Sequence, residues 1–160
     1  MSFAAAVYQD SQKKKEPLIE FPDIEDVVSA VINIGGPPQP GIQPIQMDLD
    51  NNMQKLTVAK IIYWLQHAEY MGPSQNEFIS HGGGPNEFVM KSKDGKVIRM
   101  IDAFDPISIV ISNGVMTSGV SVSDQVTINY DNKSLRLKSP DLKRWIENDM
   151  KTIIEDYIKA

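Results

Sequence analysis

The chain holds two histidines, His67 and His81, and no cysteine, so metal or nucleophile chemistry has few places to sit. His81-Gly82-Gly83-Gly84 is the first of them. Glycines beside a histidine let backbone amides approach a developing oxyanion, as acyl transfer requires. That route also needs a Gly-x-Ser-x-Gly elbow, and none occurs. The same glycines could cradle a phosphate, but the run ends in Pro85-Asn86 where a P-loop has Gly-Lys-Ser/Thr. The simpler reading is a loop whose glycines permit positive φ. His81, Gly82, Gly83 and Gly84 therefore stand as a candidate functional loop within residues 72–86.

The other stretches are incomplete in the same way. His67-Ala68-Glu69 matches half of a zinc deaminase signature whose other half is cysteines, so it reads as a polar helix face. Asp48-x-Asp50-x-Asn52 opens like a calcium loop, but Met53 stands where glycine is needed and Ala59 where a bidentate acid is needed. Asp102 and Asp105 place two carboxylates at a strand end, where acid and base roles could divide if their environments differ. Acids there more often form solvated turns. Lys13-Lys14-Lys15 lacks interleaved aromatics and reads as a solvated arm. No catalytic residue, metal site or cofactor follows from these patterns.

The elements that would position these residues divide into an arm and a body. Gly35 to Pro44 packs four prolines and three glycines into ten residues, which predicts an extended linker. Before it, Ile24, Val27, Val28, Val31 and Ile34 repeat at helical spacing behind a possible Asp23 cap. That spacing predicts a short helix, although β-branched residues favour a strand and leave it as the alternative. After the linker, Asp50 or Asn51 caps a helix predicted to run to about Met71, with Met53, Leu56, Ile61, Trp64, Leu65 and Ala68 marking its buried stripe and Val58, Ile62 and Tyr63 widening it almost all the way round. Lys93-Asp94-Gly95, Asn113-Gly114 and Asp131-Asn132-Lys133 are hairpin signals between apolar runs. With a break at Asp105-Pro106, they predict six short strands over residues 87–138. A last helix starts at Ser139-Pro140-Asp141, which supplies a cap, a first-turn proline and a first-turn acid.

The totals fit one domain of 160 residues, with hydrophobic residues at 41% and charged residues at 23%. The absence of cysteine removes disulfides and thiolate metal sites. The net charge of −5 argues against a nucleic-acid partner. Residues 23–90 hold two lysines against eight acids, and residues 91–138 hold seven basic side chains against five acids. Neither a signal peptide nor a membrane span is read from the sequence, which predicts a soluble, intracellular or virion protein.

These readings predict an α+β fold: a mainly antiparallel sheet of about six strands on two helices (47–160), preceded by an extended arm (1–46). The functional expectation is a non-enzymatic structural or assembly protein, of the kind found in viral and phage shells, tails and connectors. Its partners would be proteins, either copies of itself or other subunits. The arm anchors would be Leu18, Ile19, Phe21, Val27 and Val31, tied to the body by Pro37, Pro38 and Pro40. The alternative is a small acidic module, using Asp23, Glu25, Asp26, Asp48, Asp50 and Glu69, that regulates a basic macromolecule.

Overall fold

A computed structural model describes residues 18–36, 39–74 and 85–160. The described chain is α+β, with one seven-stranded sheet and its helices on one face. The strands are β1 (Val27–Asn33), β2 (Ile45–Gln46), β3 (Glu69–Pro73), β4 (Glu87–Ser92), β5 (Val97–Ile111), β6 (Gly114–Tyr130) and β7 (Lys133–Lys138). Their order across the sheet is β2-β1-β4-β5-β6-β7-β3, and every neighbouring pair is antiparallel.

Alternation along the strands decides which face is buried. Ala30 and Ile32 of β1, Phe88 and Met90 of β4, Ile98 and Met100 of β5, Val126 and Ile128 of β6, and Leu135 and Leu137 of β7 share one core. Helix α1 (Asn52–Gln66) covers it with Val58, Ile61, Ile62 and Leu65. The C-terminal helix covers the rest. It comprises α2 (Pro140–Arg144), a π-helical turn (Trp145–Met150) and α3 (Lys151–Lys159). Trp145 meets Phe88 edge to face, with ring centroids 5.5 Å apart.

Local chemistry explains most of the ends. Asn51 accepts from the Met53 and Gln54 amides (3.0 and 3.1 Å), so it caps α1 in preference to Asp50. Ser139 Oγ accepts from Leu142 N at 3.2 Å and Pro140 follows, as its sequence requires. Asp131 and Asn132 both take positive φ (52° and 60°) between the paired Tyr130 and Lys133. That is the turn whose twist suits a two-residue hairpin.

Four expectations need correction. Residues Val27–Asn33 form a strand inside the sheet, and only Ile24–Asp26 is a short 3-10 turn. The β-branched residues fit a pleated surface, and β4 supplies the partner that the local spacing does not reveal. The helix from Asn52 stops at Gln66, and Glu69–Pro73 pairs with β7 as an edge strand, where Pro73 is tolerated. Its buried stripe is narrower than expected: Met53, Leu56 and Tyr63 are exposed, while Val58, Ile61, Ile62 and Leu65 are inside. Lastly, residues 97–130 form two long strands instead of four short ones.

Candidate functional site

The two long strands give the molecule its most distinctive surface. β4 pairs with β5 only from Val97 to Met100, and β7 pairs with β6 only from Gln125 to Tyr130. Beyond that, eight cross-strand pairs run from Phe104↔Ser121 to Ile111↔Gly114 with β5 and β6 alone. Eight residues at roughly 3.4 Å each make a two-stranded ribbon about 27 Å long. A hairpin of two strands is marginal by itself in water. Here it also shows apolar side chains to solvent. Val110 is 82% and Val115 is 65% exposed, and the two stand directly opposite one another. Ile111 and Val120 are exposed as well. Asp105 is the one ionisable residue in 104–121.

The ribbon begins at a large irregularity. Pairing shifts between Asp102↔Val126 and Phe104↔Ser121, so one residue of β5 faces residues 122–125 of β6. Asp124 takes φ 60°, and its carbonyl accepts from Ser139 N at 2.8 Å. Such a bulge bends the strand that carries it. Gly119 lies under Phe104, where a Cβ would come within 3.3 Å of the Phe104 Cβ.

Two basic side chains clamp this bend. Lys143, buried under the sheet, ion-pairs with Asp102, donates to Ser121 Oγ at 2.6 Å and lies 3.7 Å from Glu147. Ser121 Oγ in turn donates to Asp102 Oδ2 at 3.2 Å, and the Ala103 amide donates to Oδ1 at 3.0 Å. One buried cation thus joins both ribbon strands to the C-terminal helix. On the other side, Arg136 Nη2 donates to the Phe104 carbonyl at 2.6 Å and to Asp105 at 3.2 Å. A cleft of about 380 Å³ opens beside the clamp between Gly35, Asn86, Asp102, Phe104, Glu147 and Lys151.

The remaining polar network is a stripe on the sheet face away from the helices. Glu87 accepts from Asn33 Nδ2 (2.9 Å) and from Arg99 Nε and Nη2 (2.8 and 2.6 Å). The perturbed carboxyls lie elsewhere, on the surface. Lys55, 2.9 Å away, donates a hydrogen bond and a charge that lower the Glu25 pKa. The Asp94 pKa is lowered by the Ser92 hydroxyl and then the Lys96 amide. The Lys96 pKa is raised, chiefly by Tyr130. Among the described residues, no group of three or more His, Asp or Glu could hold a metal ion.

The sequence-derived anchors fall in different places. Leu18 is 84% exposed. Ile19 and Phe21 pack against this chain's own core, and Val27 belongs to it. Val31 is half-buried in β1, opposite Val89. Pro40 sits in an exposed turn. Pro37, Pro38, His81, Gly82, Gly83 and Gly84 lie outside the described residues. His67 ends α1, with Nδ1 2.8 Å from the Tyr63 carbonyl and its ring against Tyr63. Asp48 accepts from the Asp50 amide at 3.0 Å, a local turn contact. Asp102 and Asp105 each have a basic partner. Sequence reasoning missed Lys143, Ser121 and Arg136. The run of uncharged residues from Pro106 to Ser123 was the available signal for the ribbon.

No helix among the described residues is long and apolar enough to cross a membrane. Comparison of the chain with protein-family models, with curated proteins and with solved structures gave no match.

Proposed function

We propose that this chain is a non-enzymatic assembly protein, of the class that builds shells, tails or connectors, and that it contacts neighbouring subunits through the β5–β6 ribbon. The observation that carries the reading is the ribbon itself: eight pairs long, apolar, and flanked by no third strand among the described residues. Ordering so much β structure away from a core is costly unless a partner covers it. Exposed apolar strands are a hazard that proteins otherwise shorten, charge or cover.

The N-terminal anchors carry less of this role than their composition promised, because Ile19, Phe21 and Val27 are engaged in their own core. A catalytic role draws little support from Asp102 and Asp105, which are bound by Lys143 and Arg136. The acidic-module reading is weakened as well. Glu25 pairs with Lys55, Asp26 lies 3.9 Å from Lys93, and Asp48 serves its own turn.

The test is light scattering on the full chain and on a variant whose residues 104–121 are replaced by a two-residue Asn-Gly turn. The full chain is expected to associate, and the shortened chain to stay monomeric with its helical far-UV signal and cooperative unfolding retained. The same association state for the two would overturn the assembly role of the ribbon.

A further inference from the structure

The ribbon has two outer edges, and they are not equivalent. In an antiparallel pair, opposite residues alternate between exchanging both backbone hydrogen bonds and pointing those groups outward. The turn fixes which is which. Ile111 pairs with Gly114 across only two residues, so nothing closer to the turn can bond, and this pair must be the bonded one. Counting back by twos, Ile109↔Met116, Ile107↔Ser118 and Asp105↔Val120 are bonded pairs. The residues between them point their amides and carbonyls away: Phe104, Pro106, Ser108 and Val110 on β5, and Val115, Thr117, Gly119 and Ser121 on β6.

The β5 edge is blunted. Pro106 has no amide to offer a further strand, and the Phe104 carbonyl already accepts from Arg136. The outward position of Pro106 also explains why it does not break β5, since it removes no ladder bond. On β6 no proline stands at an outward position, and among the described residues no strand other than β5 pairs with it over 114–121.

We infer that a second copy of this chain occupies the open edge, β6 against β6, around a twofold axis at Thr117. The inference rests on the assembly reading and specifies its geometry. A strand pairing with its own copy about a twofold axis runs antiparallel, as every pair in this sheet does. The register places Thr117 opposite Thr117 and Val115 opposite Gly119. That sets the exposed Val115 of one copy beside Gly119 of the other, where it meets the Phe104 side chain that covers the glycine. Charge agrees with a like partner. The chain carries −5 overall, which opposes association of copies, but this edge carries no ionisable residue. A strongly basic or acidic partner would find nothing here to complement. Because β5 is blunted on each copy, pairing ends at four strands and gives a closed dimer instead of a fibre.

Two proline substitutions test the edge. Thr117→Pro removes an outward amide from β6 without removing an internal ribbon bond, and Ser108→Pro does the same on β5. Sedimentation velocity over a dilution series is expected to show the dimer lost in Thr117→Pro and kept in Ser108→Pro. If circular dichroism shows Thr117→Pro misfolded, Val115→Lys replaces it, putting a charge at an exposed edge position with the same expected loss. A dimer that survives the β6 substitution but is lost on ribbon removal overturns the edge assignment and leaves the assembly reading intact. Loss in Ser108→Pro alone assigns the contact to β5 and also overturns it. A wild-type chain that is monomeric throughout overturns both.

Discussion

Replacing Lys143 by methionine removes the buried ammonium that joins Asp102, Ser121 and the C-terminal helix while keeping most of the apolar stem. Breaking a buried ion pair from one side costs about 3–5 kcal/mol, because the other charge stays behind without its partner. Asp102 is left with two donors, the Ala103 amide at 3.0 Å and the Ser121 hydroxyl at 3.2 Å. Its side chain also keeps 15% exposure, so some water reaches it. Both facts put the expected loss near the lower limit, about 3 kcal/mol. That is a large share of a typical stability of about 5–15 kcal/mol. Asp102→Leu alone strands Lys143 instead, but Glu147 is 3.7 Å away and half-exposed, so the expected loss is about 1–2 kcal/mol. The double variant Lys143→Met/Asp102→Leu leaves an apolar pair of similar volume and should come within about 1 kcal/mol of wild type. Urea unfolding of the four proteins gives the cycle, and the coupling should reach about 3 kcal/mol. A coupling below about 0.5 kcal/mol would refute the clamp, and so would a double variant as unstable as the sum of the singles.

Asn51→Ala should destabilise by about 1 kcal/mol in urea unfolding through loss of the α1 cap, while Asp50→Ala should have a much smaller effect. The Glu25 and Asp94 carboxyls titrate below their ordinary values in the folded chain, so each favours folding above the unfolded carboxylate range. That contribution fades as pH falls through the lower folded value. Glu25→Gln with Asp94→Asn should therefore flatten the acid side of a stability-against-pH curve slightly, since both groups are exposed, and an unchanged curve would contradict the assigned contacts. Pro106→Thr restores an outward donor to β5. Light scattering should then show species larger than the wild type, growing with concentration.

Much of the sheet was legible because its turns are written locally. Lys93-Asp94-Gly95 sits between strands that do pair, while the other two hairpin signals overlap the strands by one residue: the turns are Ser112-Asn113 and Asp131-Asn132, and Gly114 and Lys133 already belong to β6 and β7. The C-terminal helix was legible from Ser139-Pro140-Asp141 for the same reason. What failed depended on partners remote in the chain. Val27, Val28 and Val31 satisfy a helical period as well as a pleated one, and only pairing with Val89 and Met90 decides between them. Asp105-Pro106 looks like a break until the register shows the proline facing outward. Lys143 lies 41 residues from Asp102 and 22 from Ser121, so no local spacing announces their contact.

The clamp and the open edge bear on one problem, which is how a ribbon without a core is held in one direction. Two strands with apolar residues on both faces gain little by packing on each other. Their orientation must come from the base, where Lys143 and Arg136 engage opposite sides of the bend. Under the proposed pairing, their remaining stabilisation comes from the second copy along the β6 edge. The two requirements separate experimentally. Loosening the base should lower the stability of the isolated chain, because a buried charge is stranded inside the monomer. Closing the edge should leave that stability nearly unchanged, because the outward amide at Thr117 bonds no strand among the described residues. A β6-edge variant that lost monomer stability as strongly as Lys143→Met would mean that β6 is already paired within one molecule, and the ribbon would then belong to the body instead of reaching beyond it.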